Sequence, residues 1–142
     1  MIRTGADYKD SIRDGREVYV NGEKVADVTL HPQFKPLVDI RARIYDMAHD
    51  PATRDAMTVT DSGGVNAIAN ALPYSQADWW AKRRAADLVM DTFGGVVTRV
   101  GDETVGEMWS LFDGAEVLSE IDPQFAANIG RHINRVLTED PF

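Results

Sequence analysis

Cysteine is absent from this 142-residue chain. Disulfides, thiolate nucleophiles and zinc–cysteine sites all require that residue, so none of them can form within the chain. Histidine is scarce as well, and the three histidines, His31, His49 and His132, are not within ligand spacing of one another. Neither an HExxH nor a CxxC pattern occurs. The sequence therefore predicts no metal site.

Long apolar runs are also missing. No stretch approaches the roughly 20 apolar residues that a membrane-spanning helix needs. The first residues, MIRTGADY, lack the apolar segment of a signal peptide. We therefore expect no membrane partner and, in agreement with the absence of cysteine, a cytoplasmic location.

Positive charge is in the minority, with 15 Lys and Arg against 23 Asp and Glu and a net charge of −8. A field of that sign repels polyanions, so nucleic acid is not an expected partner. One basic run occurs, Lys82-Arg83-Arg84. Asp78 lies four residues before its first residue and Asp87 three after its last, which favours the solvated face of a helix over an anion-binding patch.

The overall composition of the chain, with 44% hydrophobic and 27% charged residues, is that of a globular protein. The length predicts one domain over residues 1–142. Asn21-Gly22 lies between two strand-like runs and favours a hairpin with a type I′ turn. Residues 57–68 indicate a second hairpin with a looser turn, although Ala67 to Ala71 could equally be helical.

The other segments carry helix signals, and the fold class is predicted to be mainly α with one or two small β-hairpins. Gly15 is predicted to end the first helix, and Gly94-Gly95 to end or kink the helix that follows Ser75. Leu37 and Phe125 are expected in the apolar stripes of the second and the last helix. The predicted starting signals are Thr4, Pro32 with Pro36, Ser75 to Asp78, Asp102, and Asp122-Pro123.

No self-contained catalytic site is predicted. Ser62-Gly63-Gly64 lacks the strand-to-helix elbow of a nucleophilic serine, so a hairpin turn is the preferred interpretation. The carboxylates of residues 102–107 and 113–122 are interpreted as solvated or helix-capping groups. Arg99 is a lone cation in an apolar, glycine-flanked link. Its planar fork could bind an anionic or phenolic oxygen, or it could cap a helix end, and the residues alone leave both possibilities open.

Several blocks of residues resemble, in order and spacing, the 4-hydroxyphenylacetate 3-hydroxylase family, the oxygenase components of two-component, flavin-dependent monooxygenases. The resemblance covers essentially the whole chain. The more specific first block is Asp14-Gly15-Arg16-Glu17-Val18-Tyr19, Gly22-Glu23, Val25, Asp27-Val28-Thr29, His31-Pro32 and Phe34. The later blocks are Tyr45-Asp46, His49-Asp50-Pro51, Lys82-Arg83-Arg84, Phe93-Gly94, Asp122-Pro123, Phe125, Asn128-Ile129 and Arg131.

The resemblance implies an architecture like that of acyl-CoA dehydrogenases, in which a helical N-terminal domain precedes a central β-barrel and a C-terminal helical bundle that forms tetramers. Family members are about three to four times longer than this chain, which matches the N-terminal domain and lacks the barrel and the bundle. The resemblance further implies reduced FAD, delivered by a separate flavin reductase, and a phenolic substrate that is hydroxylated ortho to its hydroxyl group. Because the family holds its flavin mainly with the other two domains, this chain alone is not expected to bind FAD.

Two substrate-binding residues follow from the same resemblance. Arg99 matches a family arginine that contacts the phenolic substrate, after a one-residue shift in the link, and Glu103 stands where the family has a substrate-contacting tyrosine. The family's substrate-contacting histidine would lie just beyond Phe142. The departure at Glu103 predicts an aromatic substrate other than 4-hydroxyphenylacetate. The 4-hydroxybutyryl-CoA dehydratases share the fold but need cysteine ligands for an iron–sulfur cluster, and the absence of cysteine argues against that branch.

The expected function is that of the N-terminal, substrate-side domain of an aromatic hydroxylase that depends on reduced FAD, with no catalytic residue in this chain. The alternative is a free-standing helical interaction module or an inactive remnant of such an enzyme. These two expectations differ in whether a barrel and a bundle accompany the chain.

Overall fold

A computed structural model describes residues 2–61, 64–95 and 102–140, the side chains of residues 102–104 excepted. Within these ranges the chain forms seven α-helices and two antiparallel hairpins, which confirms the predicted fold class. The helices are α1 (Gly5–Ser11), α2 (Lys35–Met47), α3 (Arg54–Met57), α4 (Gln76–Thr92), α5 (Asp102–Asp113), α6 (Ala115–Ile121) and α7 (Pro123–Glu139). The strands are β1 (Tyr19–Val20), β2 (Glu23–Lys24), β3 (Thr58–Asp61) and β4 (Gly64–Ala67), and a 3₁₀ turn covers Ile68–Asn70.

Side-chain caps start three of the helices as predicted. Thr4 and Asp7 form a reciprocal capping box on α1, and Ser75 and Asp78 form another on α4. Asp122 accepts a hydrogen bond from the Gln124 amide at 2.8 Å and begins α7. These contacts are local in sequence, which is why the sequence could predict them.

The first hairpin also agrees with its prediction. Tyr19 pairs with Lys24 and Val20 with Glu23, and the two turn residues between the strands have φ of 52° at Asn21 and 85° at Gly22. Positive φ at both positions is what a type I′ turn requires. The second hairpin pairs β3 with β4 from Thr58–Ala67 to Asp61–Gly64, and residues 62–63 of its turn lie outside the described ranges.

Two apolar clusters form the core. The first lies between α2, α3, the 3₁₀ turn and α4, and Met47 at its centre is fully buried. The second joins α5 to α7, and Val105 and Val136 are fully buried there. The first cluster consists of Ile44, Met47, Ala48, Met57, Ile68, Ala85 and Val89, and the second of Val105, Met108, Ile133 and Val136.

Four sequence-based expectations need correction. The first helix ends at Ser11 and not at Gly15. A separate helix, α6, forms between the two predicted last helices, and none of its residues is buried. Leu37 and Phe125 match the period of their helices, but they are 57% and 41% exposed because none of the described elements covers those positions.

Among the described residues, no helix combines the length and the apolar character that crossing a bilayer requires. In the same part of the chain, no group of three or more His, Cys, Asp or Glu side chains is arranged to hold a metal ion.

Candidate functional site

Of the two predicted substrate residues, one belongs to the connection between α4 and α5 and the other to the start of α5. Arg99 lies in the segment 96–101, outside the described residues. Glu103 lies in the first turn of α5, and its side chain is likewise outside the description. Their roles therefore remain predictions, and the structure defines the two helices that flank them.

The end of α4 is closed by a glycine turn. Gly94 and Gly95 have φ of 65° and 81°, and the Gly95 amide donates to the Met90 carbonyl at 2.8 Å. This contact spans the last helical turn in the manner of a Schellman motif and satisfies one of the helix's terminal carbonyls. The predicted end of the helix at Gly94-Gly95 is confirmed.

A cavity of about 420 Å³ has walls from α2, the 3₁₀ turn, α4 and α5. Most of its lining is apolar, from residues such as Ile44, Ala48, Val89 and Met90. A volume of this size falls in the range of small-molecule pockets, roughly 300–1,000 Å³. The polar groups on its wall therefore determine which kinds of ligand the cavity could bind.

Lys82 is the first of these polar groups. Its Nζ atom donates to the carbonyl oxygens of Ile68 at 2.6 Å and Ala69 at 2.9 Å, and it lies 4.1 Å from the centre of the Trp109 ring. Burial lowers the pKa of Lys82 to about 7, and the negative charge of Asp78 opposes that shift only in part. Lys82 thus ties α4 to the 3₁₀ turn and to α5.

The interpretation of the basic run as a solvated face is therefore wrong for Lys82. It is confirmed for its neighbours, because Arg83 and Arg84 are exposed and Arg83 pairs with Asp87 at 2.7 Å. A local charge pattern cannot show that α5 and the 3₁₀ turn cover one position of the run and leave the next two in water.

Asp140 is the second polar group, and sequence reasoning missed it. It is 5% exposed, has φ of 47° at the end of α7, and accepts hydrogen bonds from Asn70 Nδ2 at 2.7 Å and the Arg3 amide at 3.3 Å. Burial raises the pKa of Asp140, and the two hydrogen bonds partly oppose that shift. The cluster joins the two ends of the chain to the 3₁₀ turn, over separations of 70 and 137 residues.

Two buried donors, in residues that line the cavity with other atoms, have no hydrogen-bond partner in the described structure. They are the Tyr45 hydroxyl and the Trp109 indole Nε1. Burial, with a smaller contribution from the Asp140 charge, raises the pKa of Tyr45 to about 12. Tyr45 therefore stays protonated at neutral pH, and its ring is held by stacking on Tyr8 at 5.3 Å.

The three histidines remain separate in space. His31 Nδ1 accepts from the Gln33 amide at 3.3 Å, His49 Nε2 contacts the Arg3 carbonyl at 3.1 Å, and His132 is exposed on α7. Their contacts are those of turn and surface residues.

Comparisons with known proteins extend over nearly the whole chain. The family described as 4-hydroxyphenylacetate 3-hydroxylase, N terminal, matches residues 4–142. The oxygenase component of 4-nitrophenol 4-monooxygenase/4-nitrocatechol 2-monooxygenase from Rhodococcus opacus is 37% identical over 98% of the chain and 28% of its own length. The 4-hydroxyphenylacetate 3-monooxygenase oxygenase component from Thermus thermophilus is 28% identical over 99% of the chain and 28% of its own length.

Solved structures agree with these relatives. The oxygenase component of 4-hydroxyphenylacetate 3-monooxygenase, crystallised with FAD and 4-hydroxyphenylacetate, superposes with a TM-score of 0.83 at 27% identity, over 97% of this chain and 28% of that one. An archaeal 4-hydroxybutyryl-CoA dehydratase from N. maritimus superposes with a TM-score of 0.84 at 21% identity, over 99% of this chain and 28% of that one, which shows a shared fold alone.

The architecture is thus that of the helical part of an acyl-CoA dehydrogenase-like protein, as predicted. The chain spans 28% of the length of the relatives named above. The match of the family's N-terminal description to residues 4–142, together with the superposition, shows that this chain belongs to the 4-hydroxyphenylacetate 3-hydroxylase family and corresponds to its N-terminal part.

Proposed function

We propose that residues 1–142 form the N-terminal, substrate-side domain of an aromatic hydroxylase that uses reduced FAD supplied by a separate flavin reductase. In the complete enzyme, a central β-barrel and a C-terminal helical bundle accompany this domain and form a tetramer. The observation that carries the proposal is the superposition over 97% of the chain on an oxygenase component crystallised with FAD and 4-hydroxyphenylacetate. The named relatives act on phenols, and a phenolic or related aromatic compound is the proposed substrate.

The connection between α4 and α5 supports a substrate role for Arg99. The glycine turn already satisfies the Met90 carbonyl at the end of α4, so the helix has less need of an arginine cap seven residues beyond Thr92. A guanidinium fork suits a phenolic oxygen, since it combines positive charge with paired donors. Glu103 would place a carboxylate where the family has a tyrosine, which disfavours an anionic substituent there.

The capped N-termini of α1, α4 and α7 do not fit the pyrophosphate of FAD. Proteins commonly hold the pyrophosphate of a dinucleotide with free amides at a helix N-terminus. The first turns of α1, α4 and α7 are instead capped by Thr4, Ser75 and Asp122. Asp7 and Asp78 add a carboxylate to two of these caps, so a pyrophosphate would meet like charge. The groups that hold the flavin are therefore expected outside these helix ends.

A flavin titration tests where the cofactor is held. The isolated chain is expected to leave the fluorescence and the absorption spectrum of added FAD unchanged, in both the oxidised and the reduced state. Tight binding of FAD by this chain would contradict the proposal that the other domains of the enzyme hold the flavin.

Substitution of Arg99 tests the substrate role. In the complete hydroxylase, Arg99→Ala is expected to weaken phenol binding by about 10- to 100-fold, the effect of losing a charged hydrogen bond. Arg99→Lys keeps the charge but loses the planar fork, and it is expected to restore only part of the affinity. A sharp fall in melting temperature with unchanged phenol affinity would instead assign Arg99 to capping.

The second candidate function is a free-standing interaction module derived from such an enzyme. Exposed apolar side chains along α5 and α6 favour it, because Phe112, Val117 and Ile121 are 43%, 65% and 74% exposed. The coding sequence downstream of codon 142 separates the two candidates. Strand-rich sequence typical of a barrel favours the hydroxylase, and a stop codon favours the module.

A further inference from the structure

Lys82 differs from the other lysines of the chain in its partners. Lys9, Lys24 and Lys35 each form an ion pair with a carboxylate that is partly exposed to water. Lys82 forms no ion pair with any carboxylate in the described part of the chain, and its Nζ atom is bonded to two backbone carbonyls instead. Burial of an ammonium group without a carboxylate partner is unfavourable.

The amine of Lys82 lies at the wall of the cavity. Nζ is 2.6 and 2.9 Å from the carbonyl oxygens of Ile68 and Ala69, and 4.1 Å from the centre of the Trp109 ring. These three residues and Lys82 itself all line the cavity of about 420 Å³. Because every residue that Nζ contacts belongs to the same wall, a small molecule that occupies the cavity lies beside the amine.

The hydrogen bonds of the amine fit its neutral form. A neutral amine has two N–H bonds, and the carbonyls of Ile68 and Ala69 accept two. Loss of the third ammonium proton therefore leaves both carbonyls with a donor. It gives up the attraction between the positive charge and the face of the Trp109 ring, and it frees a lone pair on Nζ.

The charges around the amine agree with this assignment. Arg41, Arg83 and Asp140 share the cavity wall with Lys82, and Asp78 precedes Lys82 by one turn of α4. Since the pKa of Lys82 is lowered to about 7 by burial, a large fraction of the amine is unprotonated at neutral pH. Desolvated lysines of this kind act as nucleophiles towards carbonyl compounds.

We propose that Lys82 is a modification site, at which the cavity brings a small aliphatic aldehyde to the amine for covalent capture as an imine. The lone pair of Nζ forms the new C–N bond, and the carbonyl oxygen leaves as water with the two amine protons. The step needs neither an oxidant nor a reductant. The imine, once protonated, retains one N–H that can donate to one of the two carbonyls. The site does not depend on the hydroxylase function proposed above.

Reductive trapping tests the proposal on the unmodified 142-residue chain. The chain is treated with butanal and sodium cyanoborohydride at pH 7, and peptide mapping by mass spectrometry gives the rate of alkylation at each lysine. Lys82 is expected to react at least about 10-fold faster than Lys9, Lys24 and Lys35, because lysines with a pKa near 10.4 are almost entirely protonated at this pH. A rate at Lys82 equal to or below the other three would overturn the proposal.

The pH dependence and an unfolded control show whether the fold causes the preference. The ratio of the rates at Lys82 and Lys35 is expected to fall as the pH rises from 7 to 9, because only the exposed lysine still gains free amine in that range. In concentrated urea the lysines are expected to react at similar rates. A ratio that is constant with pH, or a preference for Lys82 that persists in urea, would contradict activation by the cavity.

An aldehyde carried on dextran tests the role of the cavity itself. The polymer cannot enter a space of about 420 Å³, so it is expected to modify Lys35 and to spare Lys82. Preferential modification of Lys82 by the polymer would show that the amine is reached from bulk water, and it would overturn capture within the cavity. Lys82→Arg is expected to abolish butanal modification at this position, and persistence of the modified peptide would contradict the assignment to Lys82.

Discussion

Replacing Gly5 by alanine is expected to lower the free energy of unfolding by at least about 2 kcal/mol, towards the upper end of the range for overpacking. A Cβ atom at Gly5 would lie 2.5 Å from the Ala42 carbonyl oxygen and 2.8 Å from Asp46 Oδ2. The first of these atoms belongs to the backbone of α2, so it cannot move aside as a flexible side chain can. The substitution must therefore push α1 away from α2.

That displacement would also disturb the contacts that hold the N-terminal segment. The Gly5 amide donates to Asp46 Oδ1 at 2.8 Å, and Tyr8 stacks on Tyr45 with ring centres 5.3 Å apart. Both contacts join α1 to α2, so both depend on the close approach that glycine permits. Loss of the Asp46 contact would leave a partly buried carboxylate with fewer donors.

Gly130→Ala is the matched control. Gly130 is an exposed position in the middle of α7, and a Cβ atom there would meet nothing within 4 Å. Alanine is expected to raise the free energy of unfolding by about 0.5–1 kcal/mol at such a position, because it restricts the unfolded chain and favours helix. Urea unfolding followed by circular dichroism measures both variants, and changes of the same sign would contradict the argument.

The second large effect concerns the pH dependence of stability. Burial lowers the pKa of Lys82 from 10.5 to about 7. Between these values the unfolded chain binds a proton that the folded chain releases, so the free energy of unfolding is expected to rise as the pH rises. One group contributes at most about 1.4 kcal/mol per pH unit in such a window. The contribution is lost as the pH falls back towards 7.

Lys82→Met removes the titrating group and keeps an unbranched apolar side chain. The slope of the free energy of unfolding between pH 7 and 9.5 is expected to be smaller in this variant than in the unmodified protein. Tyr45 does not interfere, since its pKa is raised to about 12. The absolute stability at one pH is less informative, because methionine also leaves the Ile68 and Ala69 carbonyls without their donor.

Lys35→Met is the control for this experiment. Lys35 is also a helical lysine, but its side chain is 52% exposed and pairs with Asp39 at the surface. Its replacement is expected to leave the slope unchanged. If Lys82→Met and the unmodified protein show the same slope, folding does not displace the Lys82 proton, and the contacts of its ammonium group outweigh burial.

Much of the local structure could be predicted because its causes lie within a few residues. Thr4 with Asp7 and Ser75 with Asp78 cap helices over three residues, and Asn21-Gly22 closes a hairpin. The family could also be recognised from the sequence, because short blocks of residues in a fixed order can be identified without any knowledge of how the helices pack. The substrate roles of Arg99 and Glu103 rest on that resemblance and remain predictions.

The features that escaped prediction depend on contacts between distant segments. Asp140 is buried, and its donors Asn70 and Arg3 lie 70 and 137 residues away in the chain. Leu37 and Phe125 follow the apolar period of their helices yet remain exposed, because a period shows which face is apolar and not whether another element covers it.

The sequence by itself determined the helical class, the first hairpin turn, several helix starts and the family, because propensity, capping and residue order act locally. Only the tertiary structure decided that Lys82 is partly buried while Arg83 and Arg84 are solvated, since that difference arises from α5 and the 3₁₀ turn lying over one side of α4. The same packing created the cavity and left Tyr45 and Trp109 with unpaired donors, because the volume and polarity of a cavity depend on how several helices meet.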